Sequence, residues 1–295
     1  FGPNVNPAGG DTCTTSCQGG GLSFPDAVAI NGTDLYVAEG NGDRISVYDA
    51  ASGTFERAFG KNVGGAGVDT CTTSCSNGTR GDAAGEMAAP YGVAVDGGNV
   101  FVGDQINKRV VQFTTSGTFV RAFGKNVNSG AGDPDICTTS CQAGNGSGSF
   151  STAGVAASGG EVFVPELDFG KVAVYDGSTG SLTREIGTSG SGAGQLNFPW
   201  GAAVSGSELY VADRANQRVM VFTASTGAFV RGFGKNVGGI GVDICTSSCT
   251  PGETANGEAG ALFDPTGVAV GPDGTAYVSD SDGVQAFRLV PRVRG

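Results

Sequence analysis

The sequence predicts an all-β fold, a β-propeller whose five repeats each form one blade of four antiparallel strands. Three observations lead there. Similar segments recur along the 295 residues, and each holds four short runs of β-branched and aromatic residues separated by Gly, Asn and Asp. The 54 glycines follow no Gly-x-y period, so they indicate many tight turns. One four-stranded sheet cannot bury both of its faces, so neighbouring repeats must stack radially as blades.

The repeats begin near Leu22, Met87, Phe150, Leu196 and Leu262. The second contains Pro-Tyr-Gly-Val-Ala-Val at 90–95, Asn-Val-Phe-Val-Gly-Asp at 99–104, Arg-Val-Val-Gln-Phe at 109–113 and Gly-Thr-Phe-Val-Arg-Ala-Phe-Gly at 117–124. The fourth repeats this as Pro-Trp-Gly-Ala-Ala-Val at 199–204, Leu-Tyr-Val-Ala-Asp at 209–213, Arg-Val-Met-Val-Phe at 218–222 and Gly-Ala-Phe-Val-Arg-Gly-Phe-Gly at 227–234. Each run is predicted to be one strand of a meander.

The third and fifth repeats depart from this pattern. The third reads Thr-Ala-Gly-Val-Ala-Ala at 152–157, and the fifth stops soon after Phe287, so its outer strand would come from residues 288–294 around Pro291. Phe1-Gly2 matches the end of an outer strand. We expect one domain over residues 1–295 with five blades; a six-bladed ring, or a fragment of a larger one, is the alternative.

These motifs resemble the NHL-repeat propellers, in particular a secreted bacterial type with disulfide-closed loop insertions. The resemblance rests on Pro-x-Gly-Val-Ala-Val, Leu-Tyr-Val-Ala-Asp, Asn-x-Arg-Val-x-Val-Phe and Phe-Val-Arg-x-Phe-Gly, and it covers nearly the whole chain outside the cysteine segments. It implies the propeller fold strongly and a function only weakly, because the fold hosts binding modules, scaffolds and some enzymes.

Eight cysteines form four pairs with the same spacing, Cys13/Cys17, Cys71/Cys75, Cys137/Cys141 and Cys245/Cys249. Identical local settings predict four local disulfides and an oxidising compartment, so we expect a secreted or cell-surface protein. Zinc is disfavoured because the pairs lie far apart in sequence and the chain has no histidine. The pairs sit in long loops, at 3–21, 61–86, 125–149 and 235–261, between the outer strand of one blade and the inner strand of the next.

The formal charge of −11 disfavours nucleic acid, and no apolar run is long enough to predict a membrane span. The loops are rich in Gly, Ser, Thr and Asn, with Lys61, Lys125 and Lys235 as regularly placed cations. This composition favours a protein or glycan partner at the loop face, or self-association. Asn31, Asn77 and Asn145 begin triplets that fit the N-glycosylation pattern, which matters only in a host that glycosylates.

A carboxylate ends the second strand of every repeat, and in four repeats a cation follows five residues later. We predict structural ion pairs that hold the intervening turns, namely Glu39–Arg44, Asp104–Arg109, Glu166–Lys171 and Asp213–Arg218. The fifth repeat has Asp280 and Asp282 and no cation before Arg288. Two uncompensated carboxylates make these a candidate calcium site, with solvated loop acids as the alternative. We expect no other cofactor.

The absence of histidine bears on catalysis. The propeller enzymes of the amidating-lyase, streptogramin-lyase and quinoprotein sugar dehydrogenase types use histidine as a metal ligand or base, and none of those chemistries can be carried over to this chain. With all cysteines oxidised there is no thiol nucleophile. We therefore expect no catalytic residues and a binding, scaffold or self-assembling role. A calcium-dependent lactonase of the gluconolactonase type remains the alternative, because its metal site does not need histidine.

The unfinished ends also suggest self-assembly. A blade that lacks its outer strand exposes unpaired N–H and C=O groups, so a strand from a second copy could complete it and give a homo-oligomer or filament. The alternative is that residues 288–294 complete the blade within the same chain.

Local disulfide closure gives the first testable prediction. Proteolysis without reduction should release four single peptides, each carrying one Cys-x-x-x-Cys bridge, because closing so short a loop needs no rearrangement elsewhere. Mass spectrometry before and after reduction measures this. Peptides from two different loops joined by a bridge would contradict it.

Overall fold

The computed structural model describes residues 21–145, 154–254 and 258–288. The fold is a five-bladed β-propeller: five small antiparallel sheets and, in the described part, one short 3-10 helix. The predicted fold class is therefore confirmed. Among these residues no helix is long and apolar enough to cross a membrane.

The described chain forms two compact units. The first comprises residues 21–145, 158–160 and 177–181, and the second comprises residues 154–157, 161–176, 182–254 and 258–288. The sheets of blades 1 and 2 lie in the first unit, and most of blade 3 with all of blades 4 and 5 lies in the second. The prediction of a single domain over residues 1–295 stays a prediction.

Blades 1 and 2 are five-stranded meanders of the same design. Blade 1 consists of β1 (Pro25–Asn31), β2 (Asp34–Glu39), β3 (Arg44–Asp49), β4 (Phe55–Phe59) and β5 (Thr70–Cys71). Blade 2 consists of β6 (Pro90–Asp96), β7 (Asn99–Asp104), β8 (Arg109–Thr114), β9 (Phe119–Phe123) and β10 (Ile136–Cys137).

The second unit shows more variation. Blade 3 consists of β11 (Ala156–Ser158), β12 (Glu161–Glu166), β13 (Lys171–Asp176) and β14 (Leu182–Ile186), followed by the parallel pair β15 (Thr188–Ser189) and β16 (Gln195–Leu196). Blade 4 consists of β17 (Pro199–Ser205), β18 (Glu208–Asp213), the 3-10 helix η1 (Arg214–Asn216), β19 (Arg218–Thr223), β20 (Phe229–Phe233) and β21 (Ile244–Cys245). Blade 5 consists of β22 (Gly267–Val270), β23 (Thr275–Asp280) and β24 (Gly283–Arg288).

The strand count per blade differs from the predicted four. Blades 1, 2 and 4 gain a two-residue fifth strand, because the loop after the outer strand folds back and pairs with it at the first cysteine. In blade 5, the third strand extends to Arg288, the first residue of the segment predicted to form the outer strand, and that outer strand stays a prediction. Residues 289–295 and Phe1-Gly2 lie outside the described residues, and strand complementation therefore stays a prediction.

The inner strands β1, β6 and β17 begin with the same irregularity. Phe24, Ala89 and Phe198 precede the prolines of β1, β6 and β17 with φ values of 58°, 55° and 57°. Their left-handed backbone is followed by a register shift in each strand. Such a conformation is uncommon for a bulky residue, so the surrounding backbone must hold it.

The hydrophobic core lies between stacked blades. In the first unit Tyr36, Ile45 and Phe59 of blade 1 pack with Val102 and Phe113 of blade 2. In the second unit Phe163 and Val174 of blade 3 pack with Val211 and Phe222 of blade 4, and Phe233 packs on Phe287 of blade 5 with ring centroids 5.0 Å apart. Because successive side chains of a strand point to opposite faces of the sheet, both faces of a blade can be buried against its neighbours, as stacking requires.

Gly201, the glycine of Pro-x-Gly in blade 4, shows how closely the inner strands approach. A Cβ atom there would lie too close to the backbone carbonyl of Thr266 in blade 5 for any side chain to fit. The glycine of this motif is thus a packing requirement at the inner strands.

Candidate binding surface

The features that the sequence singled out gather at one edge of each sheet. The second strand ends there, the third strand begins there, and the long loop leaves the fourth strand there. We call this the loop edge of a blade. Tight turns such as that at 31–34 form the opposite edge, which we call the turn edge.

The structure brings all four predicted ion pairs together at the loop edges. The closest N–O distances are 2.9 Å for Arg44–Glu39, 2.9 Å for Arg109–Asp104, 3.4 Å for Lys171–Glu166 and 2.8 Å for Arg218–Asp213. In blades 2 and 4 both partners are almost completely buried, which the sequence analysis did not predict.

The arginine of blade 4 shows what the pair does. Besides Asp213, the Arg218 guanidinium donates to the carbonyls of Ser191, Gly192 and Gln195, in the segment that enters the blade, and of Thr250, in the loop that leaves it. Five acceptors therefore surround one buried cation. Arg218 acts as a clasp that holds the entering and the leaving segments to the same hairpin.

The carboxylate of this pair is equally well bound. Asp213 accepts hydrogen bonds from the backbone N–H of Asn197 at 2.6 Å and from the side-chain amide of Asn216 at 2.8 Å. Burial raises the pKa of Asp213 to about 6, and Arg218 and these two donors act against that rise. A buried ion pair is stable when additional donors of this kind replace the hydrogen bonds that its groups made to water.

Blade 2 repeats the clasp residue by residue. Arg109 donates to the carbonyls of Asp82 and Glu86 before the blade and of Gln142 after it. Asp104 accepts from the backbone of Ala88 and from Asn107. The asparagine and the arginine of the motif Asn-x-Arg are therefore both parts of the clasp.

The clasps of blades 1 and 3 are different. Arg44 binds both carboxylate oxygens of Glu39 and the carbonyls of Cys75 and Ser76 in the leaving loop. In blade 3, Lys171 is shared between buried Glu166 and exposed Glu185. Burial raises the pKa of Glu166 to about 7, although Lys171 lowers it, and its Oε2 receives no hydrogen bond.

Three disulfides close the described loops, Cys71–Cys75, Cys137–Cys141 and Cys245–Cys249. Cys13 and Cys17 lie outside the described residues. Each loop begins with the motif Gly-Lys-Asn-Val, whose valine is fully buried at Val63, Val127 and Val237. Each asparagine has a positive φ, at Asn62, Asn126 and Asn236, and donates its backbone N–H to the aspartate that precedes the cysteines.

The loop lysines form ion pairs within their own loops. Lys61 and Lys125 pair with Asp69 and Asp135 at 3.2 Å, and Lys235 pairs with Glu258. The loops therefore present no row of free lysines to a partner. Asp69 and Asp243 each also accept a hydrogen bond from the loop backbone through one carboxylate oxygen. The segments Gly-Gly-x-Gly-Val-Asp at 64–69 and 238–243 therefore fold as self-contained turns.

A cluster at the loop edge of blade 4 was not predicted. The Trp200 ring stacks near Phe198, with ring centroids 6.4 Å apart and an interplanar angle of 30°, and the Arg214 guanidinium carbon lies 4.5 Å above the Trp200 ring. Arg214 also pairs with Asp264 at 3.0 Å. We call Phe198, Trp200, Arg214 and Asp264 the aromatic cluster.

Strained backbone positions hold this cluster at the surface. Phe198 and Asp264 both have positive φ and stand immediately before Pro199 and Pro265. Phe198 is 40 % exposed, and Phe263, next to Asp264, is 38 % exposed. The only sequence signal was that Trp200, the single tryptophan, occupies the variable position of Pro-x-Gly.

The candidate calcium residues lie on the turn between β23 and β24. The Asp280 carboxylate accepts the backbone N–H groups of Asp282 and Gly283 and a hydrogen bond from Gln285. In the described part of the chain no three His, Cys, Asp or Glu side chains gather as a metal cluster would require. Calcium binding by Asp280 and Asp282 stays a prediction.

Comparison with known proteins supports the repeat and the fold. The family described as the NHL repeat matches residues 196–222, from β16 into β19, so the resemblance drawn from the sequence is confirmed on its fourth repeat. No curated protein sequence matches the chain.

Two solved structures share the fold. A chain of the nidogen/laminin complex aligns with a TM-score of 0.53 at 14 % identity, covering 91 % of this chain and 77 % of that chain. A catalytically inactive virginiamycin B lyase from Staphylococcus aureus with quinupristin aligns with a TM-score of 0.50 at 11 % identity, covering 90 % of this chain and 70 % of that chain. At these identities the likeness shows the fold alone.

The clasp of blade 3 gives a pH prediction. Because folding raises the pKa of Glu166 from 4.5 to about 7, the folded state keeps a proton that the unfolded state releases between these values. Stability should therefore fall as pH rises through this window and level off above it. Urea unfolding measures this. Between pH 5 and pH 8 the free energy of unfolding of the wild type should fall by about 1–3 kcal/mol more than that of Glu166→Gln.

Glu185→Gln is the matched control, because Glu185 shares the same lysine but is exposed. It should keep most of the wild-type pH dependence. An equal pH dependence in the wild type and Glu166→Gln would show that Glu166 titrates at its ordinary value.

Proposed function

We propose that this NHL-repeat β-propeller is a non-catalytic extracellular binding module that recognises a protein partner at the loop edge of blade 4. One observation carries the proposal: a tryptophan, a phenylalanine and an arginine lie together, partly exposed, at that edge, and the phenylalanine has a positive φ. Aromatic residues and arginine are enriched at protein interfaces, and tryptophan and arginine dominate binding hot spots.

The cluster is also held in place before any partner arrives. Asp264 fixes Arg214 over the indole and donates its own N–H to the side-chain oxygen of Gln217 at 2.7 Å. Side chains already ordered in the free protein lose less conformational entropy on binding. Preorganisation of this kind is a property of binding sites.

The neighbouring disulfide loop extends the same surface. Gly252, after the second cysteine, donates to the carbonyl of Asn216 in η1, which also carries Arg214. The fully exposed Ile240 and half-exposed Val242 lie in the loop that begins at Lys235. The loop therefore places apolar side chains and a rigid backbone on the same edge as the aromatic cluster.

Two general considerations support an extracellular, non-catalytic role. Disulfides formed from every described cysteine indicate an oxidising compartment. The chain lacks histidine, and the carboxylates that end the second strands of blades 1 to 4 are paired with arginine or lysine, as structural ion pairs are. One similarly folded chain comes from a complex of two proteins, nidogen and laminin, and another is a lyase, so the fold itself permits either class.

Trp200→Ala tests the binding proposal. Secreted and surface proteins of the source organism are cross-linked to the immobilised chain and quantified by mass spectrometry. A partner should be captured by the wild type and at least about tenfold less by Trp200→Ala, because truncating a hot-spot tryptophan costs about 2 kcal/mol or more. The identified protein is then purified and its affinity measured by calorimetry, with Arg214→Gln as a second variant.

Phe24→Ala is the matched control, since Phe24 occupies the position of Phe198 in blade 1 and is 62 % exposed. It should capture the partner as the wild type does. Capture independent of Trp200 would contradict the proposal. Trp200-dependent binding on a glycan array, or capture of a second copy of the chain, would replace the protein partner with a glycan or with self-assembly.

Absence of catalysis is a separate prediction. The chain should hydrolyse aldonolactones no faster with 5 mM calcium, on the order of the weaker protein calcium affinities, than with a chelator. The assay is proton release at constant pH. Calcium-stimulated hydrolysis that Asp280→Asn or Asp282→Asn removes would establish the lactonase alternative instead.

A further inference from the structure

Four repeats carry an arginine at the same place in the outer strand, Arg57, Arg121, Arg184 and Arg231. Three of them pair with a carboxylate at the beginning of the second strand of their blade, at the turn edge. Arg57 binds Asp34, Arg184 binds Glu161 and Arg231 binds Glu208. These pairs are a second recurring feature of the repeat, on the edge of the blade opposite the clasp.

Two of the three arginines also donate to a backbone carbonyl. Arg57 donates to the carbonyl of Thr115, and Arg184 donates to the carbonyl of Ala224, in each case at the first residue of a turn in the next blade. The side-chain hydrogen bonds from arginine hold the pKa of Asp34 and of Glu208 below the ordinary value. Each guanidinium is therefore compensated within the chain.

Blade 2 breaks this pattern through two substitutions. The second strand begins with Asn99 where its counterparts begin with a carboxylate, and β8 carries Gln112 where β3 and β19 carry Val47 and Val221. The Gln112 amide donates to Asn99 Oδ1 at 2.9 Å and to the carbonyl of Gly177 at 3.0 Å. Gly177 is the counterpart of Thr115 and Ala224, so Gln112 occupies both acceptors that an arginine would use.

Arg121 is left without an acceptor. Among the described residues it makes neither an ion pair nor a hydrogen bond, although it stands directly opposite Gln112 across the strands. Its Nε is buried without an acceptor, as are those of Arg184 and Arg231, but those two arginines satisfy their terminal nitrogens and Arg121 does not. The backbone that holds Arg121 is otherwise the same as in its counterparts.

We infer that Arg121 is a binding site for a carboxylate from outside the chain, supplied by an aspartate or glutamate side chain of a protein partner. Arg121 has the strand position from which its counterparts bind an Asp or Glu side chain, and in blade 2 that acid is replaced by Asn99. A planar guanidinium suits a carboxylate because it can donate two parallel hydrogen bonds. The site lies at the turn edge of blade 2, so it is distinct from the aromatic cluster and does not depend on the proposed function.

The test uses the whole chain with ¹⁵N-labelled arginine and follows the Nε–H resonances by NMR at constant ionic strength. The probes are N-acetyl-aspartate amide, which mimics an Asp side chain, and glucuronate, which carries the same carboxylate on a sugar; Arg121→Gln assigns the resonance. In the wild type the Arg121 resonance should shift with N-acetyl-aspartate amide at least about five times as far as that of Arg231, which is already paired.

Two variants test the site in opposite ways: one should remove the response of Arg121 in blade 2, and the other should create a response of Arg231 in blade 4. Asn99→Asp combined with Gln112→Val installs the acid and the apolar neighbour of blade 1, Asp34 and Val47, so the Arg121 response should fall to the level of Arg231. Glu208→Asn removes the partner of Arg231, so the Arg231 resonance should begin to respond. Because the two variants change different blades, failure of one to fold leaves the other informative.

Equal responses of Arg121 and Arg231 in the wild type would overturn the inference. A response to chloride as large as that to the carboxylates would show a nonspecific charge effect and also overturn it. A markedly stronger response to glucuronate than to N-acetyl-aspartate amide would show that the site selects sugar acids, which contradicts the protein partner.

Discussion

The buried Asp–Arg clasp is the interaction on which the rest of the structure depends. In blades 2 and 4 one guanidinium binds a carboxylate together with carbonyls from the segments before and after the blade. The clasp offsets part of the conformational entropy that the glycine-rich loops lose when they become ordered. Removal of one partner would leave the other charge buried and uncompensated, so the clasp ties the path of the loops to the integrity of the hairpin.

A repeated architecture makes departures from the repeat easy to see. Blade 3 replaces the arginine clasp with Lys171 and Glu166, and its connector to blade 4 is a short parallel pair instead of a disulfide loop. Blade 2 leaves Arg121 without its usual acid, and blade 4 carries Trp200 where other repeats have smaller or different side chains. Since the common scaffold explains the shared residues, the residues that differ are where function is most reasonably sought.

The sequence predicts the fold and the ion pairs because both follow from short periodic patterns. Alternating residues, turn glycines and a carboxylate–cation spacing of five residues are local signals. The aromatic cluster could not be found this way, because Trp200, Arg214 and Asp264 come from three separate strand ends whose approach depends on blade stacking. The two-residue strands at Cys71, Cys137 and Cys245 were missed because such short pairings follow from the loop path. The burial of Arg109 and Arg218 was missed because part of what covers them comes from the loops.

The disulfide loops are closed within themselves. The buried valine, the left-handed asparagine, the aspartate that caps it and the cystine all lie within a dozen or so residues, and blade 3 forms its four-stranded sheet without any such insertion. The segment between the valine and the aspartate differs in length among the loops, with 5 residues at 64–68 and 238–242 and 7 residues at 128–134, while the anchors stay constant. Insertions of different length can therefore start from the same anchors and return to the same point, because the clasp arginine of blades 1, 2 and 4 binds the carbonyl that follows the second cysteine, at Ser76, Gln142 and Thr250.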